Sequence, residues 1–369
     1  MLNSLQIVNF KGFNNTTIEF KKLTLLTGCN STGKSSIIQA ILLLHRAMLD
    51  EMDKPNKYCA QLLNQEPFGD LLNLNFDSHV FSIDGKIDGD QFYSTWNIDA
   101  NKISEVTISD SMKNYHNILY LNAQRLVQSN IFPIPTKSQL ISNPIGNHGE
   151  FAAYHLSVLA DKRIFSNITT NEDKLYISPY KPKFKPQIEA WLSQIKPQIL
   201  LQAEQSANEN NVSLQFYLPN FYGEYHARDV GLGVKYALPI FVAGLMAKRP
   251  SSWGTVSKIT AKRDTIFIVE NPEAYLHPQG QVVLGTFLAN IAASGIQCIV
   301  KTHSDHVLNA IRVAVSNEEI SPDDVQINFL TKFIERIDVY TPKIDQDGHI
   351  DEWPSGFFDE FENQLSQLF

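Results

Sequence analysis

Cysteine is scarce in this chain, and the few cysteines present do not form a recognisable set. The 369 residues contain three, Cys29, Cys59 and Cys298, which is an odd number with no metal-ligand spacing. The sequence therefore indicates neither a disulfide framework nor a zinc site. It favours a reducing compartment, by default the cytoplasm.

Long apolar runs and an amino-terminal targeting signal are also lacking. The longest apolar run, residues 37–44, is interrupted by Gln39 and is too short to span a bilayer. The first residues, MLNSLQIVNFKGF, do not show the basic, apolar and small-residue order of a signal peptide. We therefore expect no association with a membrane.

Positive charge is not in excess, and no heptad repeat is present. Lysine and arginine total 31 against 39 acidic residues, which gives a net charge of −8. This balance argues against a strongly electrostatic nucleic-acid binder, although a local basic groove for DNA or RNA stays open. The lack of heptads excludes long coiled-coil arms. A hydrophobic fraction of 43% and a charged fraction of 19% are typical of a globular protein.

The most informative feature that is present is a glycine-rich segment near the amino terminus. It fits the phosphate-binding loop pattern G-x-x-x-x-G-K-[ST] at every position, between a predicted strand at residues 23–26 and a predicted helix at 36–48. Backbone N–H groups of such a loop face phosphates. Lys34 supplies charge to the terminal phosphates, and the Ser35 hydroxyl binds Mg²⁺. The predicted ligands of a nucleoside triphosphate are Gly28, Asn30, Ser31, Thr32, Gly33, Lys34, Ser35 and Ser36.

A second cluster predicts the metal and catalytic chemistry of the same nucleotide. An apolar run at residues 265–269 reads as a buried strand and ends at Glu270. A carboxylate at the carboxyl end of such a strand can order the hydration shell of Mg²⁺. A further apolar run at 298–300 precedes His303, which can reach a γ-phosphate. The sequence therefore predicts Ser35 and Glu270 as metal ligands and ATP as the nucleotide.

These motifs, in this order, resemble those of the ABC-type ATPases of the RecF, SMC and OLD group. The segment IFIVENPEAYLHP is similar to their Walker B motif and D-loop, and VKTHSDHVLNAI to their switch-histidine segment. Residues 229–239 resemble the signature segment. The tail DGHIDEWPSGFFDE is similar to the end of a bacterial subgroup whose carboxyl-terminal domain has no assigned chemistry.

The resemblance implies an α/β fold, namely a P-loop ABC-ATPase head with a mixed sheet, an antiparallel β subdomain and a helical middle insertion. We expect residues 1–80 and 258–344 to form a nucleotide-binding lobe, 81–257 a second lobe, and 345–369 a tail. Strand-like runs between Phe81 and Ser109 predict the antiparallel part, and the pattern of 188–201 predicts a helix in the insertion.

The resemblance also implies a function that needs two copies of the chain. In such ATPases two heads enclose two ATP molecules, so Gly231 and Gly233 would present backbone N–H groups to a γ-phosphate across a homodimer or higher oligomer. The ATP cycle would serve a separately encoded effector such as a nuclease, as in bacterial antiphage defence, because too little chain follows the ATPase core for a nuclease domain. A DNA-repair ATPase of RecF type is the alternative. The segment at 276–278 disfavours a transporter subunit.

The chain departs from the family pattern at Asn271. The second of two adjacent acids usually activates water there, whereas an amide can orient water but cannot accept its proton. General-base assistance typically contributes about 10²–10⁴-fold. Three outcomes are open: Glu273 supplies the base, His303 positions the water, or the protein is an ATP-bound scaffold or sensor without turnover. We expect weak hydrolysis assisted by Glu273 or His303.

Other side chains allow more than one interpretation. Arg125 is predicted to pair with Glu150, or else to contact a phosphate or an interface. Phe13 lies where related heads contact the nucleotide, although a core position is an equal interpretation. Gln61 and Gln65 are candidates for a glutamine that senses Mg²⁺, and their spacing does not choose between them.

Overall fold

The chain forms two compact units in the computed structural model. The described residues are 1–48, 71–73, 78–99, 102–109, 117–125, 130–165, 173–217, 224–226, 230–248, 265–334 and 336–368. The first unit comprises Met1–His116, Asp323–Ile344 and Ile350–Phe369, and the second Asn117–Pro322 and Asp345–His349. Gln61 and Gln65 lie outside the described residues. The division into lobes at 1–80 with 258–344, 81–257 and 345–369 stays a prediction.

Strands and helices alternate late in the chain, after runs of consecutive strands and of consecutive helices. The strands are β1 (Leu2–Phe10), β2 (Phe13–Glu19), β3 (Leu23–Gly28), β4 (Val80–Ile87), β5 (Asp90–Phe92), β6 (Ser94–Asp99), β7 (Lys102–Ile108), β8 (Asn117–Leu121), β9 (Ile131–Pro133), β10 (Leu200–Gln205), β11 (Asn211–Tyr217), β12 (Glu224–His226), β13 (Thr265–Glu270), β14 (Gln297–Lys301), β15 (Val325–Phe333) and β16 (Arg336–Tyr340). The helices are α1 (Lys34–Met48), α2 (Lys137–Ser142), α3 (Ala152–Leu159), α4 (Phe184–Ile195), α5 (Leu232–Ala247), α6 (Pro278–Ala293), α7 (Asp305–Ser316) and α8 (Glu360–Leu365).

The first unit contains the antiparallel sheet that the sequence predicts. Its strand order is β2-β1-β4-β6-β7, with β5 paired to β4. Burial alternates along β6, as it does when one face of a sheet is packed and the other is solvated. The packed face includes Phe10, Phe81 and Trp96, and the rings of Phe81 and Trp96 stack with centroids 5.6 Å apart.

The strand that leads into the phosphate loop belongs to a mixed arrangement in the same unit. β3 pairs in parallel with β15, and β15 pairs antiparallel with β16. Residues 23–27 of β3 are all buried. The register places Gly28 beside Leu330, so the end of β3 and the start of the loop are fixed by a neighbouring strand.

Three parallel strands organise the second unit. β13 lies between β8 and β14, and its register pairs Glu270 with Lys301. β13 is buried from Ile266 onward, as is usual for a parallel strand covered on both faces. The side chains that end these strands therefore meet at one edge. The α/β class with mixed and antiparallel sheets is confirmed.

Helices α2 to α5 and strands β9 to β12 make up the middle of the chain. The rings of Trp191, Phe241 and Phe287 pack against one another with centroids 4.8–6.0 Å apart. No helix among the described residues has both the length and the apolar character needed to cross a bilayer.

The predicted bounds of the helix at 188–201 were wrong at both ends. It runs from Phe184 to Ile195, and β10 begins at Leu200. Pro197 explains the early end, because a proline disfavours helical geometry in the residue before it. Lys196 accordingly has an extended backbone, with φ −133° and ψ 104°.

Candidate functional site

The phosphate loop joins β3 to α1 through two glycines that leave no room for a side chain. Gly28 has φ +128°, and a Cβ there would lie 2.1 Å from the Leu330 carbonyl oxygen. Gly33 has φ +94°, and its Cβ would lie 2.8 Å from Phe13 Cζ. Both positions therefore require glycine by conformation and by space. Phe13 is fully buried, which agrees with the core interpretation of this residue.

Lys34 is enclosed by the loop that precedes it. Its Nζ donates to the Gly28 carbonyl at 2.8 Å, to the Cys29 carbonyl, and to Thr32 Oγ1 at 3.3 Å. Only 3% of Lys34 is exposed. The ammonium group is thus held by two carbonyls and one hydroxyl of the loop.

The remaining predicted phosphate ligands lie around this lysine. Asn30 and Ser31 are exposed on the loop, and Ser31 has a left-handed backbone with φ +62°. Ser35 and Ser36 are half-buried in the first turn of α1. The first N–H groups of a helix have no acceptor within the helix and carry a partial positive charge, so this turn favours phosphate.

In the second unit, Glu270 ends β13 as a buried carboxylate. It is 7% exposed, and its Oε1 accepts a hydrogen bond of 2.7 Å from the Tyr120 hydroxyl on β8. Its Oε2 forms an ion pair of 2.8 Å with Lys301 Nζ on β14. Burial, reinforced by the negative charge of Glu270, raises the pKa of Tyr120 far above its usual range. The sequence pattern indicated neither partner.

The donor chemistry of the predicted metal ligands fits Mg²⁺. Glu270 offers carboxylate oxygens and Ser35 a hydroxyl oxygen, and Mg²⁺ is a hard cation that prefers oxygen. A carboxylate has about four lone-pair positions. Tyr120 and Lys301 each donate to a different oxygen of this carboxylate, and a carboxylate oxygen that accepts a hydrogen bond can also bind a metal or its water.

The turn after β13 places Asn271 and Glu273 side by side. Asn271 has a left-handed backbone with φ +45°, and its amide donates to Glu273 Oε1 at 3.4 Å. Glu273 also accepts from Thr302 Oγ1 at 2.9 Å and from the His303 N–H at 2.9 Å. Its carboxylate therefore ties this turn to the segment that carries His303.

His303 is exposed just after β14, in the segment that leads into α7. Ser304 caps α7, because its hydroxyl accepts from the Val307 N–H. The Ser304 N–H in turn donates to Thr302 Oγ1 at 3.0 Å. The backbone on both sides of the imidazole is thus fixed by hydrogen bonds, so the second unit brings Glu270, Asn271, Glu273 and His303 together.

Arg125 reaches the same turn from the end of the β8 segment, a contact that the sequence did not indicate. It is 4% exposed and donates to the Glu270 carbonyl at 2.5 Å and to the Asn271 carbonyl at 3.3 Å. The predicted partner Glu150 instead accepts from the His148 N–H. Burial lowers the pKa of Arg125 to about 10, while the negative charges of Glu273 and Glu270 oppose that shift.

The predicted signature glycines lie at the start of α5 and differ in their surroundings. Gly231 precedes the helix, and no described atom would come within 4 Å of a Cβ there. A Cβ on Gly233 would lie 2.7 Å from the Tyr275 carbonyl oxygen. The next turn of the helix places Tyr236 under the Arg125 guanidinium, 5.5 Å from the ring centroid. A Cβ at Gly231 would thus meet none of the described atoms, whereas one at Gly233 would clash with the turn that carries Tyr275.

Two family models match the chain. One, described as an AAA ATPase domain, matches residues 1–308. The other, described as a protein of unknown function (DUF3696), matches residues 320–368. A search of curated proteins found no match.

Solved structures of SMC heads share the fold. An SMC head bound to the C-winged helix domain of ScpA has a TM-score of 0.56 and 12% identity, over 94% of this chain and 98% of that one. An Smc head with an extended coiled coil, bound to the carboxyl-terminal domain of ScpA derived from Pyrococcus furiosus, has a TM-score of 0.54 and 11% identity, over 100% and 99%.

At such identities the likeness establishes the fold alone, which is that of an SMC head. Membership of a family rests instead on the sequence model that spans residues 1–308, from the first strand through the histidine segment. The strand, glycine loop and helix of the first unit and the acid-ended strand of the second lie within that span. The chain belongs to the AAA ATPase domain family.

Proposed function

We propose that this protein binds ATP with Mg²⁺ and hydrolyses it slowly, as an ABC-type ATPase. The observation that carries the proposal is the phosphate loop, which encloses Lys34 Nζ at 2.8 Å from the Gly28 carbonyl and excludes a Cβ at both of its glycines. A loop of this pattern, followed at once by a helix amino terminus, suits the phosphates of a nucleotide. Asn30, Ser31, Thr32 and Ser36 complete the proposed ligands.

For the chemical step, we assign Glu270 and Ser35 to Mg²⁺, and Asn271 to the orientation of water. Glu273 has three hydrogen-bond donors on its two oxygens, two of them from the segment of His303. This geometry favours Glu273 as a positioning residue that fixes His303 beside the γ-phosphate. A role for Glu273 as the general base is the alternative.

Lys34→Ala and Glu270→Gln test the proposal. ATP binding, measured by calorimetry, is expected to be lost in Lys34→Ala, and phosphate release is expected to be lost in both variants. Lys22→Ala is a matched control, because Lys22 is a surface lysine of the same unit that pairs with Asp324. Unchanged ATP binding in Lys34→Ala would reject the loop as the site.

Asn271 favours one second candidate, an ATP-bound scaffold or sensor without turnover. An amide stands where a water-activating acid is expected, and it is hydrogen-bonded to Glu273. Phosphate release by the wild type that never exceeds that of Lys34→Ala, with and without DNA, would reject hydrolysis and support this candidate.

We further propose that ATP closes a homodimer in which the start of α5 at Gly231 and Gly233 faces the nucleotide of the second copy. The SMC heads of similar fold are bound to domains of ScpA. By analogy, this protein would pass its ATP cycle to a separately encoded effector, such as a nuclease in antiphage defence, with a RecF-type role in repair as the alternative. Light scattering of Glu270→Gln with and without ATP tests the dimer, and an unchanged mass would count against it.

A further inference from the structure

Glu270 is flanked on both sides by donors from the neighbouring parallel strands. Lys301 is its register partner on β14, and its Nζ lies 2.8 Å from Glu270 Oε2. Tyr120 on β8 donates to Oε1 at 2.7 Å. The side chains of Lys301 and Glu270 are only 14% and 9% exposed, so water screens this ion pair weakly.

We infer that Lys301 is a built-in counter-ion that keeps Glu270 from holding a divalent cation on its own, so that the metal enters only as its complex with the nucleotide. This inference rests on the proposed role of Glu270 as the metal acid. A free divalent cation meets a carboxylate whose charge is already balanced at 2.8 Å. A metal that arrives with ATP is already held by phosphate oxygens and needs few protein ligands.

The positive charge of Lys301, and not its hydrogen bond, is what keeps a free divalent cation from Glu270. Tyr120 supplies a matched contrast, because it binds the other oxygen of the same carboxylate through a neutral hydroxyl. Removing the Tyr120 hydroxyl deletes a hydrogen bond without changing the charge. Removing the Lys301 ammonium deletes both a hydrogen bond and a positive charge. The difference between the Lys301 and Tyr120 variants is therefore assigned to the charge.

The experiment measures the binding of Mn²⁺ to the full chain by electron paramagnetic resonance, without nucleotide. All variants carry Asp345→Asn, because Asp345, Asp347 and His349 form an exposed group with ligand atoms within 4.8 Å that could also hold Mn²⁺. We expect Lys301→Met to bind one Mn²⁺ at least about tenfold more tightly than its parent, which is about 1.4 kcal/mol. Lys301→Arg and Tyr120→Phe are expected to stay within about threefold of the parent.

Two results would overturn the inference. One is an Mn²⁺ affinity in Lys301→Met equal to that of the parent, and the other is tighter binding that persists after Glu270→Gln is added. Lys301→Gln, which keeps a hydrogen-bond donor without charge, gives the same readings if Lys301→Met does not fold. Because this experiment contains no nucleotide, a negative Mn²⁺ result would not bear on ATP binding through Lys34. Likewise, a failure to bind ATP would not change the Mn²⁺ result.

Discussion

Replacement of Glu273 by glutamine and by alanine separates a positioning role from a proton-accepting one. Glutamine keeps one carbonyl oxygen for the His303 N–H, and its amide can donate to Thr302 Oγ1, which already accepts from the Ser304 N–H. Alanine removes both links, at 2.9 Å each. Glu273→Gln can therefore keep both links, with the direction of the hydrogen bond to Thr302 reversed, while it removes the charge and the basicity of the carboxylate.

The structure sets the expected magnitudes. A hydrogen bond to a charged group contributes about 1.5–3 kcal/mol. Because His303 is exposed, water replaces part of what Glu273→Ala removes, so we expect a loss of about 2–3 kcal/mol in the free energy of unfolding. For Glu273→Gln we expect a loss below about 1 kcal/mol. Misplacement of His303 by about 1 Å can cost on the order of 10²-fold in turnover.

Urea denaturation and steady-state phosphate release, measured on the same samples, provide the assay. We expect Glu273→Gln to keep turnover within about threefold of the wild type, and Glu273→Ala to lose at least about tenfold. Glu318→Gln, at an exposed glutamate, is the control for a change of charge alone. The reasoning is refuted if Glu273→Gln loses turnover as completely as Glu273→Ala while its unfolding free energy is unchanged, because Glu273 would then be the proton acceptor.

Thiol labelling and two glycine substitutions provide further predictions. In a Cys59→Ser background, N-ethylmaleimide should label the exposed Cys29 and spare Cys298, because burial raises the pKa of the Cys298 thiol. ATP with Mg²⁺ should slow the labelling of Cys29. Equal labelling rates at both thiols, measured by mass spectrometry, would contradict the first expectation. Gly231→Ala should change unfolding free energy by less than about 0.5 kcal/mol. Gly233→Ala should lose about 1–3 kcal/mol of unfolding free energy, because its Cβ would lie 2.7 Å from a carbonyl oxygen. Equal losses for the two alanine variants, measured by urea denaturation, would contradict the different surroundings of the two glycines.

The strand, loop and helix around the phosphate loop could be predicted because their determinants are contiguous in the chain. Gly28, Gly33 and Lys34 stand within seven residues, and each requirement is local: a positive φ, a close approach, or a charge. The error at 188–201 arose where two local signals competed. An apolar pattern continued past Pro197, but the backbone restriction imposed by that proline ended the helix.

The electrostatic surroundings of the acid at residue 270 could not be predicted in the same way. Tyr120, Arg125 and Lys301 reach Glu270 or its carbonyl from segments 31 to 150 residues away. These contacts depend on which strands are neighbours and on their register. Buried parallel strands are apolar throughout and carry little register information in their pattern. A charged residue that ends one strand therefore finds its partner through the topology of the sheet.

Asn271 shows how local conformation bears on a residue that the sequence alone assigns to chemistry. Its φ of +45° lies in the left-handed region, which asparagine adopts more readily than glutamate. Its carbonyl accepts from Arg125, and its N–H donates to the Lys301 carbonyl at 2.7 Å. The hydrogen bonds to Arg125 and to the Lys301 carbonyl thus hold the backbone of Asn271 in a geometry that suits asparagine. The left-handed backbone favours asparagine over glutamate at this position independently of catalysis, so measured turnover, and not Asn271 alone, decides between slow hydrolysis and a protein that only holds ATP.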